Sequence, residues 1–165
     1  MKKNLSILCV FLFTISITAQ NFEVPKNYSF EKAEDYANQR SNIIKAVDWL
    51  ENTAMNQETE KRKEVNTYLT QWLTGTPDVT INLNPEVITF MDCSDCLLVF
   101  MGSWAKYALV NKDYNNELKG SIAGIESVIR LYESNKNSIK KNKAIEKYIK
   151  LQEKGKLEND IKSKI

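Results

Sequence analysis

Apolar side chains return at helical spacing in several separate stretches of this chain, with polar residues filling the other faces. Over about Phe30 to Asn52, Tyr36, Ile43, Val47 and Leu50 recur on one side while Glu31, Glu34, Asp35, Arg40, Lys45 and Asp48 lie elsewhere. With Ser29 as N-cap, that pattern predicts a first helix. From about Glu58 to Thr74, the residues Val65, Tyr68, Leu69, Trp72 and Leu73 form an unbroken stripe, which Gly75 and Pro77 end. Leu97 to Val110 is apolar all round, the mark of a central helix, and Asp92 can cap its start with Asp95 in the first turn. Within it Gly102, Ser103 and Ala105 let neighbouring helices approach closely. A further helix is predicted from about Asn116 to Asn135, where Leu118, Ile122, Ile125, Ile129 and Tyr132 share a stripe and Gly120 and Gly124 a small-residue patch. The last runs from Ser138 to about Glu153, with Gly155 interrupting before Leu157, Ile161 and Ile165 resume the spacing.

Between the second and third helices the period changes. Val79, Ile81 and Leu83 alternate with Thr80 and Asn82, and Asn84-Pro85-Glu86 precedes Val87 to Met91. Two short strands joined by a turn, a β-hairpin over 79–91, fit this best. The competing reading takes Asn84 as N-cap and Pro85 as first helical residue, which crowds β-branched side chains into the first turns.

The N-terminus has a different character. Lys2 and Lys3 are followed by an almost unbroken apolar run, Leu5 to Ile17, and Thr18-Ala19-Gln20 offers a small residue for cleavage. Residues 1–19 therefore read as a signal peptide, which makes the mature protein secreted or periplasmic. Cys9 lies inside the apolar run behind Ile7-Leu8, without the small residue that lipid attachment wants. After a lead-in at 20–28, residues 29–165 form one domain, long enough to bury a core. No later apolar stretch approaches the ~20 residues that cross a bilayer, so no transmembrane segment is expected after cleavage.

The chain carries 23 basic and 21 acidic side chains, a net charge of +2. That excess is Lys2 and Lys3, so the mature chain is balanced and nucleic-acid binding loses its electrostatic support. The balance conceals a basic C-terminal region. Lys140, Lys141, Lys143, Lys147, Lys150, Lys154, Lys156, Lys162 and Lys164 stand there against Glu146, Glu153, Glu158 and Asp160. Such a face can contact an acidic partner or an anionic surface, or remain solvated.

Only Cys93-Ser94-Asp95-Cys96 carries chemical content as a motif, and it admits four readings. A structural disulfide suits an exported chain with an even cysteine pair. A thiol-redox site draws on the helix N-terminus, which lowers the pKa of a thiol placed there, although the surrounding helices show no βαβ alternation. A metal site needs four ligands, and with no histidine in the chain it requires two copies to pool their cysteines or help from Asp92 and Asp95. Two free buried thiols complete the set. Haem attachment fails because Leu97, not histidine, follows Cys96.

The lack of histidine removes the commonest general base and the nucleophile–histidine arrangements. Two-carboxylate chemistry survives in principle, but the acids sit beside Lys or Arg on solvated faces. No catalytic residue, metal or cofactor is expected. Trp49, Trp72, Trp104 and Tyr107 either line a ligand pocket or pack the core, and their places on apolar stripes favour packing.

The Lys-Lys start, the Ile-Thr-Ala-Gln cleavage region, and the runs Trp72 to Pro77 and Phe100 to Tyr107 resemble small exported helical proteins of the Bacteroidetes. The resemblance implies export and a nearly all-helical domain, and brings no catalytic residues with it. The expectation is a mainly α bundle of about five helices. Its leading function is non-enzymatic binding of a protein, peptide or small apolar ligand, and the alternative is a thiol-disulfide or redox-sensing protein using Cys93 and Cys96.

Overall fold

The computed structural model describes residues 21–165, so the signal peptide expected at 1–19 lies outside the described residues. Six helices follow in order: α1 Ala33–Asn52, α2 Thr59–Gly75, α3 Ser94–Asn111, α4 Glu117–Ser134, α5 Lys143–Glu153 and α6 Leu157–Lys162. The protein is mainly α, a helical bundle, with no strand among the described residues.

The apolar α3 is the centre. It packs on α1 and α2 along one side and most extensively on α4 along another. The closeness to α4 depends on Gly120 and Gly124. A Cβ at Gly120 would stand 2.4 Å from the Trp104 indole, and one at Gly124 would stand 2.5 Å from the Phe100 ring. These glycines admit two large α3 aromatics against the α4 backbone. Beyond α4, the short α5 and α6 close the C-terminal end, each in contact with α4 and with the other. Gly155, at φ +63°, makes the turn between them, and Leu157 and Ile161 are buried beyond it.

Three boundaries differ from the sequence reading. Helix α1 begins at Ala33 with Lys32 as N-cap, not behind Ser29. The Phe30 ring joins Tyr28, Tyr36 and Tyr68 with centroids 5.1 to 5.7 Å apart, and the Tyr36 hydroxyl donates to the Phe30 carbonyl. Aromatic packing thus holds the chain extended past the expected start, and the Asp35 carboxylate receives the Glu31 and Lys32 amides instead. Helix α5 starts five residues later than expected, at Lys143, because Asn142 caps it through the Ala144 and Ile145 amides. The third difference, at α3, belongs to the cysteine pair described below.

The expected hairpin at 79–91 does not form. Val79, Val87, Ile88 and Phe90 are all buried, and Val87 and Ile88 are neighbours that a one-faced strand would send to opposite sides. A turn forms instead. The Asn84 carbonyl accepts from the Val87 and Ile88 amides, and its side chain accepts from Glu86. Burying each such side chain stabilises by about 1.5–3 kcal/mol, whereas strand propensity spans only about 1 kcal/mol. The segment is fastened to the C-terminal helices as well: the Tyr148 hydroxyl donates to Val87 O at 2.7 Å, and Asn84 donates to Lys164 O at 2.7 Å.

Candidate functional site

The cysteine pair opens α3. Cys93 is the N-cap, and its sulfur accepts the Cys96 amide at 3.3 Å. The two sulfurs are bonded, with an S–S distance of 1.99 Å. Cys93 is partly exposed and Cys96 is fully buried. Asp92 is not the cap, in contrast to the sequence reading, while Asp95 takes the first-turn place that reading gave it. Asp92 lies outside the helix, where its carboxylate accepts from Asn142, the residue that caps α5, at 3.0 Å. A cysteine in extended backbone just ahead of the helix can do the capping that an aspartate would otherwise do. Beside the pair lies a depression of about 230 Å³ whose walls include Met55, Ser94, Ile139 and Lys140.

Arg62 of α2 stands behind this corner. It is only 6% exposed, packs on the Trp49 ring at 5.5 Å, and donates to the Thr53 carbonyl, while its Nε has no hydrogen-bond partner. Burial pushes the guanidinium pKa down, and the charge of Asp95 opposes that shift. Arg62 lies three residues before Val65, in register with the apolar stripe, and that register was the available signal for its burial.

A second polar centre sits where α1, α3 and α4 meet. The Glu51 side chain is 8% exposed. It accepts hydrogen bonds from the Ser103 and Ser127 hydroxyls, from Lys106 at 2.8 Å and from Arg130 at 3.1 Å. Lys106 also pairs with Asp48. Burial alone would raise the Glu51 pKa, but the bonds from Lys106, Ser127 and Ser103 and the charge of Lys106 outweigh it and hold the carboxyl below its usual range. Burial would likewise lower Lys106, and Asp48 with Glu51 reverses it, so the ammonium is raised. Both serines donate to a carboxylate already engaged with cations, so the cluster is a polar lock beside a small cavity of about 180 Å³. Glu51 follows Val47 by one helical turn, a carboxylate in register with an apolar stripe. Its partners come from distant helices that no local pattern connects.

A further concavity lies between α4 and α5, about 460 Å³. Tyr132 and Ile149 line it, with Lys136, Lys141, Lys150, Glu133, Glu146 and Glu153 around them. Glu146 takes Lys141 at 3.8 Å and the Tyr132 hydroxyl at 3.4 Å. Lys136 and Lys150 are exposed and form no ion pair among the described residues.

The aromatic candidates are dispersed rather than gathered. Trp49, Trp72 and Trp104 are at most 3% exposed, one on each of the first three helices. Trp72 donates its indole N–H to the Tyr36 carbonyl at 3.1 Å. Tyr107 is partly buried, and its hydroxyl donates to Asp113. Among the described residues no three metal-ligating side chains converge, and no helix is long and apolar enough to cross a membrane. No protein-family model, curated protein or solved structure matches the chain.

Proposed function

We propose that this is an exported, non-enzymatic interaction protein that receives a polypeptide segment of its partner in the groove between α4 and α5. The observation that carries the reading is the groove itself. It has the volume of a ligand site and an apolar floor in Tyr132 and Ile149, with charges of both signs around it, Lys136 and Lys150 forming no ion pair among the described residues. A peptide meets that combination well, since its side chains supply apolar bulk and its backbone and charged groups supply partners for the rim. The buried titratable groups favour binding over catalysis, because Glu51 and Lys106 are locked in their charged forms by each other. Export is supported by the Lys2-Lys3 start and the Leu5 to Ile17 run, and by a disulfide, which suits an oxidising compartment.

A photo-crosslinking side chain placed at Lys150 in the producing cells tests this, with exposed Lys45 on α1 as the control position. A discrete polypeptide adduct from position 150 and none from position 45 is the expected result. Equal or absent labelling at both positions would overturn the reading.

A further inference from the structure

We propose that Cys93–Cys96 is a thiol–disulfide exchange site for a dithiol partner, with Cys93 as the sulfur attacked. The groove plays no part in this, and the two readings stand or fall separately.

Three observations carry it. The two sulfurs differ in access: Cys93 is partly exposed beside a depression of about 230 Å³, and Cys96 is completely buried. An incoming thiolate therefore reaches Cys93 more readily than Cys96. Second, the site is electrostatically prepared for a thiolate. The Cys96 amide already points at the Cys93 sulfur at 3.3 Å, at a helix N-terminus whose dipole favours negative charge. The charges facing it come from several elements. Asp92, Asp95 and Lys140 line the depression, and the buried Arg62 interacts electrostatically with Asp95. Third, the bond contributes little to the stability of the fold. A loop this short constrains the unfolded chain by much less than the ~3 kcal/mol of a 15-residue loop. The start of α3 is held independently by the amide of Cys93 to Phe90 O and the amide of Leu97 to Cys93 O, both at 3.0 Å.

The exchange balances in two steps. A thiolate of the partner dithiol attacks Cys93 Sγ, and the Sγ–Sγ bond breaks with its electron pair leaving on Cys96 Sγ, which takes up a proton. The partner's second thiolate then attacks its own sulfur in the mixed disulfide and releases Cys93 as a thiolate. The partner is oxidised to a disulfide, and the cysteine pair is reduced by two electrons.

Two measurements on the protein recovered from its cells decide the matter. In the first, dithiothreitol is added without denaturant, and free thiols are counted by alkylation and mass while helical circular dichroism is followed. Complete reduction with an unchanged helical signal is expected. Reduction only as the helical signal is lost makes the bond structural and overturns the proposal. In the second, Cys96→Ser and Cys93→Ser are each incubated with oxidised glutathione. Cys96→Ser should form the mixed disulfide at least tenfold faster, with a Cys93 pKa below the ordinary thiol value of about 8.5. Equal rates, or a pKa at or above that value, overturn it. If either variant fails to fold, the first measurement decides alone.

Discussion

At the scale of single residues, the most consequential choices are those that seat a side chain against backbone. Gly124 is one. A Cβ there would lie 2.9 Å from the Phe100 carbonyl oxygen as well as against its ring, and the carbonyl cannot move without disturbing α3. Gly124→Ala is therefore expected to lower stability by about 1–3 kcal/mol, seen as a reduced midpoint in urea unfolding with an unchanged slope. Lys112 is the opposite case. It ends α3 in the left-handed region at φ 53°, with its amide and the next one both returned to Ala108 O. An L side chain is unfavourable there and glycine is not. Lys112→Gly should raise the melting temperature by several degrees, equivalent to about 1 kcal/mol in a domain of this size. No change, or a lower melting temperature, would show that the Lys112 side chain makes up the difference.

At the scale of elements, α1, α3 and α4 are joined by two kinds of contact, the glycine-admitted aromatics and the Glu51 cluster. Removing the carboxylate strands the Ser103 and Ser127 hydroxyls and half the partners of Lys106. Glu51→Ala is expected to cost about 2–4 kcal/mol, somewhat less than the ~3–5 kcal/mol for breaking a fully buried pair, because Arg130 remains half exposed to water and Lys106 keeps Asp48. The sign of the pH dependence follows from the depressed Glu51 pKa. The unfolded chain binds the proton more readily, so the contribution is fully present above the ordinary glutamate value of about 4.3 and is lost as pH falls through the lower folded value. Acid titration of unfolding free energy should show this loss below about pH 4 in the natural protein and a flatter limb in Glu51→Gln. Equal slopes in both would remove Glu51 from the account. The α5 start is a separate test of the same kind. Asn142 caps the helix and ties it to Asp92, so Asn142→Ala should cost about 1 kcal/mol, and amide exchange should speed up in the first turn of α5 while α1 stays protected.

At the scale of the whole molecule, function turns on which surfaces the packing leaves open. The C-terminal lysines do not form one uniform basic face. Lys164 is drawn onto Asp160 at 2.5 Å and over the Tyr148 ring, and Lys147 lies 4.0 Å from Asp160, whereas Lys136 and Lys150, beside the groove, form no ion pair among the described residues. Lys136→Glu with Lys150→Glu is expected to leave the melting temperature within about 1 °C, since exposed charges contribute little to stability. The same pair of changes should abolish the crosslinked adduct formed from a probe at Ile149. Retention of the adduct at full yield would show that the partner is held elsewhere.

Much of this architecture was written in local periodicity. The stripes of α2 and α4, the all-round apolarity that makes α3 central and the break at Gly155 all follow from residues near one another in the chain, because a helix is a local object, whereas the cysteine spacing allowed a bond as one of four readings. Four matters belonged to the tertiary structure. Whether residues 79–91 pair as strands or fold as an irregular strap depended on α3 and the C-terminal helices offering room for Val87 and Ile88 together. The true start of α1 depended on Phe30 finding Tyr36 and Tyr68. The Glu51 cluster depended on serines and cations from α3 and α4 arriving at one carboxylate, and Cys93 became the accessible sulfur only when α3 turned Cys96 into the core. In each case the deciding energy came from groups far apart in sequence, whose meeting is set by packing and not by spacing.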